Sequence, residues 1–179
     1  MKWIIYVLWG LVGIVPAGCE KVEKITGPGQ PVCFEYRYVN YAWGYQEKGW
    51  LIDSSGNINS YNLPDGFILP DSTGLITGDN LAHNLALTDS VIGTVPGEDM
   101  DYYLGLIQGA SEGIIGAPRS IAADAGNSVL SCYRYDSAEN AYRYVFLGRS
   151  GDWEQFNQSE EAEILIDWLK QFGVFWLSE

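Results

Sequence analysis

Two segments, "NSVLSCYRYD" (127–136) and "AYRYVFLGRS" (141–150), are separated by Ser-Ala-Glu-Asn. No other feature constrains the fold of this chain as strongly. Both segments are rich in the aromatic and β-branched residues that suit a pleated, half-buried surface. The short polar link between them suits a tight antiparallel turn. The register that sets Tyr135 opposite Tyr142 also sets Tyr133 opposite Tyr144 and Ser131 opposite Phe146. An aromatic ladder then runs along one side of the hairpin.

A second region has the same character. "CFEYRYVNYAWGYQ" (33–46) reads as a strand in which Phe34, Tyr36 and Tyr38 share one face. Val39, Tyr41, Trp43 and Tyr45 share the other, so the alternation slips near Asn40 and predicts a bulge there, or burial of both faces. "GWLIDSSGNINSYN" (49–62) follows, with turn chemistry at its centre: Asp and Ser bond their own backbone, and Gly takes positive φ. A hairpin is expected, Trp50–Ile52 against Ile58–Tyr61.

Helical periodicity occupies the rest. "TGDNLAHNLALTD" (77–89) offers Thr77 as a cap, with Leu81 and Leu85 one turn apart. "PGEDMDYYLGLIQGASEG" (96–113) opens on acidic residues, which the helix dipole favours, and brings Met100, Tyr103, Leu104 and Ile107 to one face before Gly109 or Gly113 stops it. "NQSEEAEILIDWLKQFG" (157–173) is capped by Asn157 or Ser159 and ended by Gly173, and it buries Leu165, Trp168, Leu169 and Phe172. The predicted class is α+β: an antiparallel sheet of two hairpins with about three helices packed on one face. No internal repeat of solenoid period is present.

The N-terminus has a different logic. Lys2 precedes an uncharged apolar run, Trp3 to Val15, too short to cross a bilayer, which takes about 20 apolar residues, and suited to the core of a secretory signal. Pro16-Ala17-Gly18-Cys19 follows. It resembles the lipobox of bacterial lipoproteins, with proline where that family prefers leucine. The resemblance implies that Cys19 carries a diacylglyceryl thioether, that residues 1–18 are a signal peptide removed ahead of it, and that the new N-terminus is acylated. Fatty chains contribute about 0.8 kcal/mol per buried CH₂, so two or more hold firmly. The remaining expectation is a tether over 19–32, with Gly27, Pro28, Gly29 and Pro31, and one globular domain over 33–179. An ordinary signal peptide that leaves Cys19 bare is the alternative.

Charge and cysteine content narrow the function. The formal net charge of −13 repels nucleic acid and anionic headgroups, so no nucleic-acid partner is expected. With Cys19 lipidated, Cys33 and Cys132 remain. They are either a disulfide, which closes a loop of about 100 residues and contributes up to about 4.7 kcal/mol in the chain-entropy model, or two buried thiols.

Catalytic signals are weak. "GASEG" (109–113) has the spacing of a nucleophile elbow around Ser111. A helical pattern precedes it where a strand is required. His83 is the single histidine, and no Cys-x-x-Cys occurs, so no cofactor or metal is expected. "DSSGNIN" (53–59) lacks the twelfth-position Glu of a calcium loop. Asp152 and Glu154, either side of Trp153, are the one carboxylate pair that could serve glycoside hydrolysis. The aromatics are more informative: Trp43, Tyr45, Trp50 and Trp153 are candidate contacts for a sugar or a protein.

The patterns "YVNYAWGYQ…GWLID…GNINSYNLP", "DAGN…LSCYRYD" and "GDWEQFNQSEEAEILIDWLKQF" are similar to uncharacterised lipoproteins of the Bacteroidota. That resemblance implies O-glycosylation at Asp71-Ser72-Thr73, Asp89-Ser90-Val91 and Asp136-Ser137-Ala138. Together these readings make the chain a lipid-anchored protein of the bacterial cell envelope, joined to the membrane by its anchor. It is expected to be a non-catalytic module that binds a protein or a glycan. An envelope hydrolase and a structural or assembly subunit are the alternatives.

Overall fold

A computed structural model describes residue 27, residues 29–42 and 44–174, and residue 176. Cys19, the residues expected as a signal peptide, most of the expected tether and Trp43 lie outside the described residues. Strand β1 (Val32–Asn40) pairs antiparallel with β2 (Gln46–Asp53), with Phe34 opposite Ile52 and Tyr36 opposite Trp50. The stretch 33–46 is therefore a strand that ends and turns back. The slip expected as a bulge near Asn40 is the strand's end: the Asn40 carboxamide oxygen accepts from the N–H of Ala42 at 2.8 Å, and its nitrogen donates to the Asp124 carbonyl at 3.2 Å. An Asn side chain that takes over backbone partners in this way breaks a ladder.

The β2–β3 hairpin (β3, Asn57–Asn62) forms as predicted, with Ile52 opposite Ile58 and Trp50 opposite Ser60. Its turn is held by Asp53, whose Oδ1 accepts from the N–H of Ser55 and of Asn57, while Gly56 takes φ of 82°. The segment that resembled a calcium loop thus serves its own backbone. Two-residue β4 (Leu75–Ile76) leads into α1 (Gly78–Ala86), capped by Thr77. Strand β5 (Ser90–Thr94) then adds to the outer edge of β3. Periodicity did not predict β5, because its two large apolar residues, Val91 and Ile92, are both exposed.

Helix α2 (Gly97–Glu112), short β6 (Arg119–Ser120), β7 (Asn127–Asp136), β8 (Ala141–Gly151), β9 (Trp153–Phe156) and α3 (Glu160–Leu169) complete the fold. The β7–β8 register is the predicted one: Tyr135 faces Tyr142, Tyr133 faces Tyr144 and Ser131 faces Phe146. Among the described residues the strands form one antiparallel sheet of nine, larger than two hairpins, in the order β5-β3-β2-β1-β7-β8-β9-β6 with β4 on β8. The class is α+β.

Helices α2 and α3 cover one face of this sheet. Phe34, Trp50, Ile52, Leu130, Cys132 and Val145 point into that core and meet Met100, Ile107, Leu165, Trp168 and Leu169. Trp168 stacks on Tyr103 with ring centroids 3.8 Å apart and takes the edge of Phe34 at 5.0 Å. Ser159 caps α3 by accepting from the N–H of Ala162 at 3.1 Å, and Gly173 ends the 3₁₀ turn that follows. The third helix, α1, lies on the opposite face. There Leu81 joins a smaller cluster of Val32, Leu51, Tyr61, Ile76, Tyr133 and Tyr142. Gln30, in the segment whose composition suggested a tether, is buried and donates to the carbonyls of Val32 and Tyr133.

Candidate functional site: the open face of the sheet

Alternation decides what α1 leaves uncovered. Side chains of Glu35 and Arg37 alternate with the core residues Phe34, Tyr36 and Tyr38, so they project from the face opposite α2 and α3. Across the ladders, Glu35 is opposite Ser131 and Arg37 opposite Val129. Val129 is opposite Arg149 on β8, and Arg149 is opposite Gln155 on β9. One row of this face therefore reads Arg37, Val129, Arg149, Gln155 from β1 to β9. A cavity of roughly 310 Å³ sits where this face meets the loop before α1, lined by Glu35, Arg37, Pro70, Ser131 and Tyr144 among others.

The polar groups here are bonded to one another. Glu35, buried, accepts from the hydroxyl of Tyr133. Glu47, also buried, takes Nε of Arg37 on one oxygen at 2.5 Å and the hydroxyl of Tyr45 on the other. Burial raises the Glu35 carboxyl above its ordinary range, with the Glu47 charge adding to the rise, while the Tyr133 hydrogen bond and the Arg37 charge oppose it. Burial likewise raises Tyr144 and Tyr61.

The sequence's candidate aromatics separate cleanly. Tyr45 is 51% exposed, and its bond to Glu47 fixes it on the open face. Trp153 is 44% exposed, and the β8–β9 register places it on the same face, diagonal to Arg149. Four strand spacings of about 4.8 Å separate β2 from β9, so these aromatics flank the face about 19 Å apart. Trp50 is not a surface contact: it is 3% exposed, packed between Tyr36 and Phe172 on the helix side. Alternation from Leu51 and Gly49 sends it inward. Sequence reasoning missed Arg149 and Glu35, which carry no motif and become neighbours only through the sheet register.

The remaining candidates have structural roles. Asp152 accepts from the N–H of Ala125 at 2.8 Å, and Glu154 pairs with Arg119 at 2.9 Å, so the two carboxylates are committed to different partners. Ser111 lies in the last turn of α2 and donates to the Gln108 carbonyl, without the strand–turn–helix setting of a nucleophile. His83 is exposed, with Nε2 3.2 Å from the Gly66 carbonyl. Cys33 and Cys132 are buried thiols on neighbouring strands. Burial pushes Cys33 up to about 12 and raises Cys132 as well.

Among the described residues, no group of three or more His, Cys, Asp or Glu is placed to hold a metal, and no helix is long and apolar enough to cross a membrane. No protein-family model, curated protein or solved structure matches the chain.

Proposed function

We propose that this chain is a lipid-tethered protein of the bacterial cell envelope, anchored at Cys19, whose domain binds a glycan on the open face of the sheet without catalysing its cleavage. One observation carries the binding reading: exposed Tyr45 and Trp153 flank a face whose middle is polar and half-buried. Aromatic rings at the rim and fixed polar groups between them suit a sugar, which presents apolar ring faces and hydroxyl edges at once. Glu35 and Glu47 are held by neighbouring side chains, as in a rigid recognition surface. The commitment of Asp152 and Glu154 to structural partners supports a non-catalytic role. The anchor reading is supported by the run from Trp3 to Val15 followed by Pro16-Ala17-Gly18-Cys19.

The full chain, purified in non-ionic detergent, is tested on an array of neutral and acidic oligosaccharides. Binding that Trp153→Ala and Tyr45→Ala weaken about tenfold each is the expected result. Retention of no oligosaccharide at all overturns the binding reading. Mass spectrometry of natively produced protein tests the anchor separately: a diacylglyceryl thioether at Cys19 is expected, and an attached leader or a bare thiol overturns it.

A further inference from the structure

We propose that the ligand of the open face is an acidic sugar chain whose carboxylates are taken by Arg149 and, further along the chain, by Arg37. This rests on the glycan-binding reading and narrows it. Arg37, Val129 and Arg149 share one row across β1, β7 and β8. Two strand spacings of about 4.8 Å separate the arginine backbones, about 10 Å in all. Arg37 is held toward β2 by Glu47, so the two side chains are placed to take two carboxylates in succession along a chain.

Arg149 is the anchor. Its Nε is enclosed and has no hydrogen-bond partner, and among the described residues Arg149 forms no ion pair. The chain carries 23 acidic side chains against 10 Lys and Arg, and Arg37, Arg119 and Arg143 each hold a carboxylate. The enclosed Nε is out of a ligand's reach, so a ligand meets Arg149 at the terminal Nη groups of its guanidinium. A carboxylate meets the planar fork of a guanidinium with two parallel hydrogen bonds, which a neutral hydroxyl does not. Arg134 also has an unbonded Nε, but it lies on the helix face and gives Nη1 to Gln108 on α2, so it is not part of this surface.

The acidic groups nearby are already hydrogen-bonded to other partners. Glu47 is held by Arg37 and Tyr45, Glu35 accepts from Tyr133, and Asp71 is turned into its own loop by Thr73 and Leu75. Arg37 spends Nε on Glu47, and its remaining N–H donors are those it offers a ligand. Trp153, diagonal to Arg149, supplies the ring face against which a sugar lies while its carboxylate reaches the guanidinium. The recognition signature is thus an anionic group beside a stacked ring.

Titration calorimetry on the full chain in non-ionic detergent tests this with trigalacturonate and its methyl ester, which differ in charge and share the ring. The acid is expected to bind at least about tenfold tighter than the ester, the scale of a lost charge-assisted hydrogen bond. Arg149→Gln is expected to weaken the acid about tenfold to hundredfold and leave the ester unchanged, with Arg149→Lys between. Equal affinity for acid and ester, or an Arg149→Gln variant that binds the acid as the wild type does, overturns the carboxylate proposal and leaves the glycan reading standing. Binding of neither probe also overturns the proposal, and the array decides the wider reading. The acid–ester comparison on wild-type protein needs no variant to fold.

Discussion

Tyr133 on β7 donates its phenolic hydrogen to Glu35 on β1, along a diagonal of the ladder in which Ser131 is the direct partner of Glu35. The bond joins the small apolar cluster under α1 to the polar middle of the open face, because Tyr133 belongs to that cluster and Glu35 lines the cavity beside it. The phenol's hydrogen bond offsets part of the cost of burying that carboxyl in its charged form.

The pair makes stability depend on pH with a definite sign. Burial raises the folded-state Glu35 carboxyl above its unfolded value, about 4.3 for a glutamate, so the folded chain holds that proton longer as pH rises. Its contribution is therefore fully present below about pH 4 and is lost as pH rises through the raised folded value. Melting temperatures of wild type and Glu35→Gln, compared between pH 4 and pH 8, are expected to converge or cross in favour of the variant as pH increases. A difference that stays constant with pH contradicts the assignment. Tyr133→Phe leaves the carboxyl without its donor and is expected to cost about 1–3 kcal/mol at neutral pH.

Two tryptophans on opposite faces should behave oppositely. Trp168 is sandwiched by Tyr103, Phe34 and Phe172, so Trp168→Ala is expected to cost about 3–5 kcal/mol in urea unfolding. Trp153 is exposed, and Trp153→Ala should stay within about 0.5 kcal/mol of wild type. A large loss of stability at Trp153 would make it a packing residue and remove it from the binding face.

Gly49 is required by close approach. A Cβ there would stand 1.9 Å from the Tyr36 carbonyl and 2.7 Å from the Tyr61 hydroxyl. Gly49→Ala is expected to destabilise by about 1–3 kcal/mol or more, through displaced backbone between β1 and β2. Gly105, in α2 with open space around it, is the matched control: Gly105→Ala should stabilise by about 0.5–1 kcal/mol through helix propensity. Urea midpoints at constant slope separate the two.

The thiols of Cys33 and Cys132 should be inert in the native protein. Burial holds both as protonated thiols well above neutral pH, and the thiolate is the reactive form. Iodoacetamide at pH 8 is expected to leave both unmodified over hours under native conditions and to label both rapidly in guanidinium. Fast native labelling of either would contradict the burial described above.

The β7–β8 register was legible because ten-residue segments with aromatics at alternate positions admit few pairings, and the observed pairs from Ser131–Phe146 to Tyr135–Tyr142 match the pattern read from the residues. Helices α1 and α3 were legible for a similar reason: Thr77, Ser159 and Gly173 mark ends that local chemistry alone fixes, while α2 was legible from its acidic first turn and the spacing of Met100 and Ile107. Strand β5 was not, since a short edge strand with solvent on its side chains has no hydrophobic alternation to detect. Of the two readings open for the slip near Asn40, burial of both faces holds over Cys33–Tyr36, while the strand's end at Asn40 rests on a bond to the Asp124 carbonyl, 84 residues away, and was not legible.

What the sequence determined by itself is therefore local: the helix caps, the turn at Asp53 and the pairing within each hairpin. These depend on neighbours a few residues apart, whose geometry the backbone supplies directly. The tertiary structure alone decided which face of the sheet is covered. Two helices bury Trp50 and Trp168 on one side, and α1 covers only part of the other. That asymmetry brings Arg37, Val129 and Arg149 into one row and leaves Tyr45 and Trp153 at its flanks, because Arg37 and Val129, 92 positions apart, become neighbours only when β1 and β7 lie side by side.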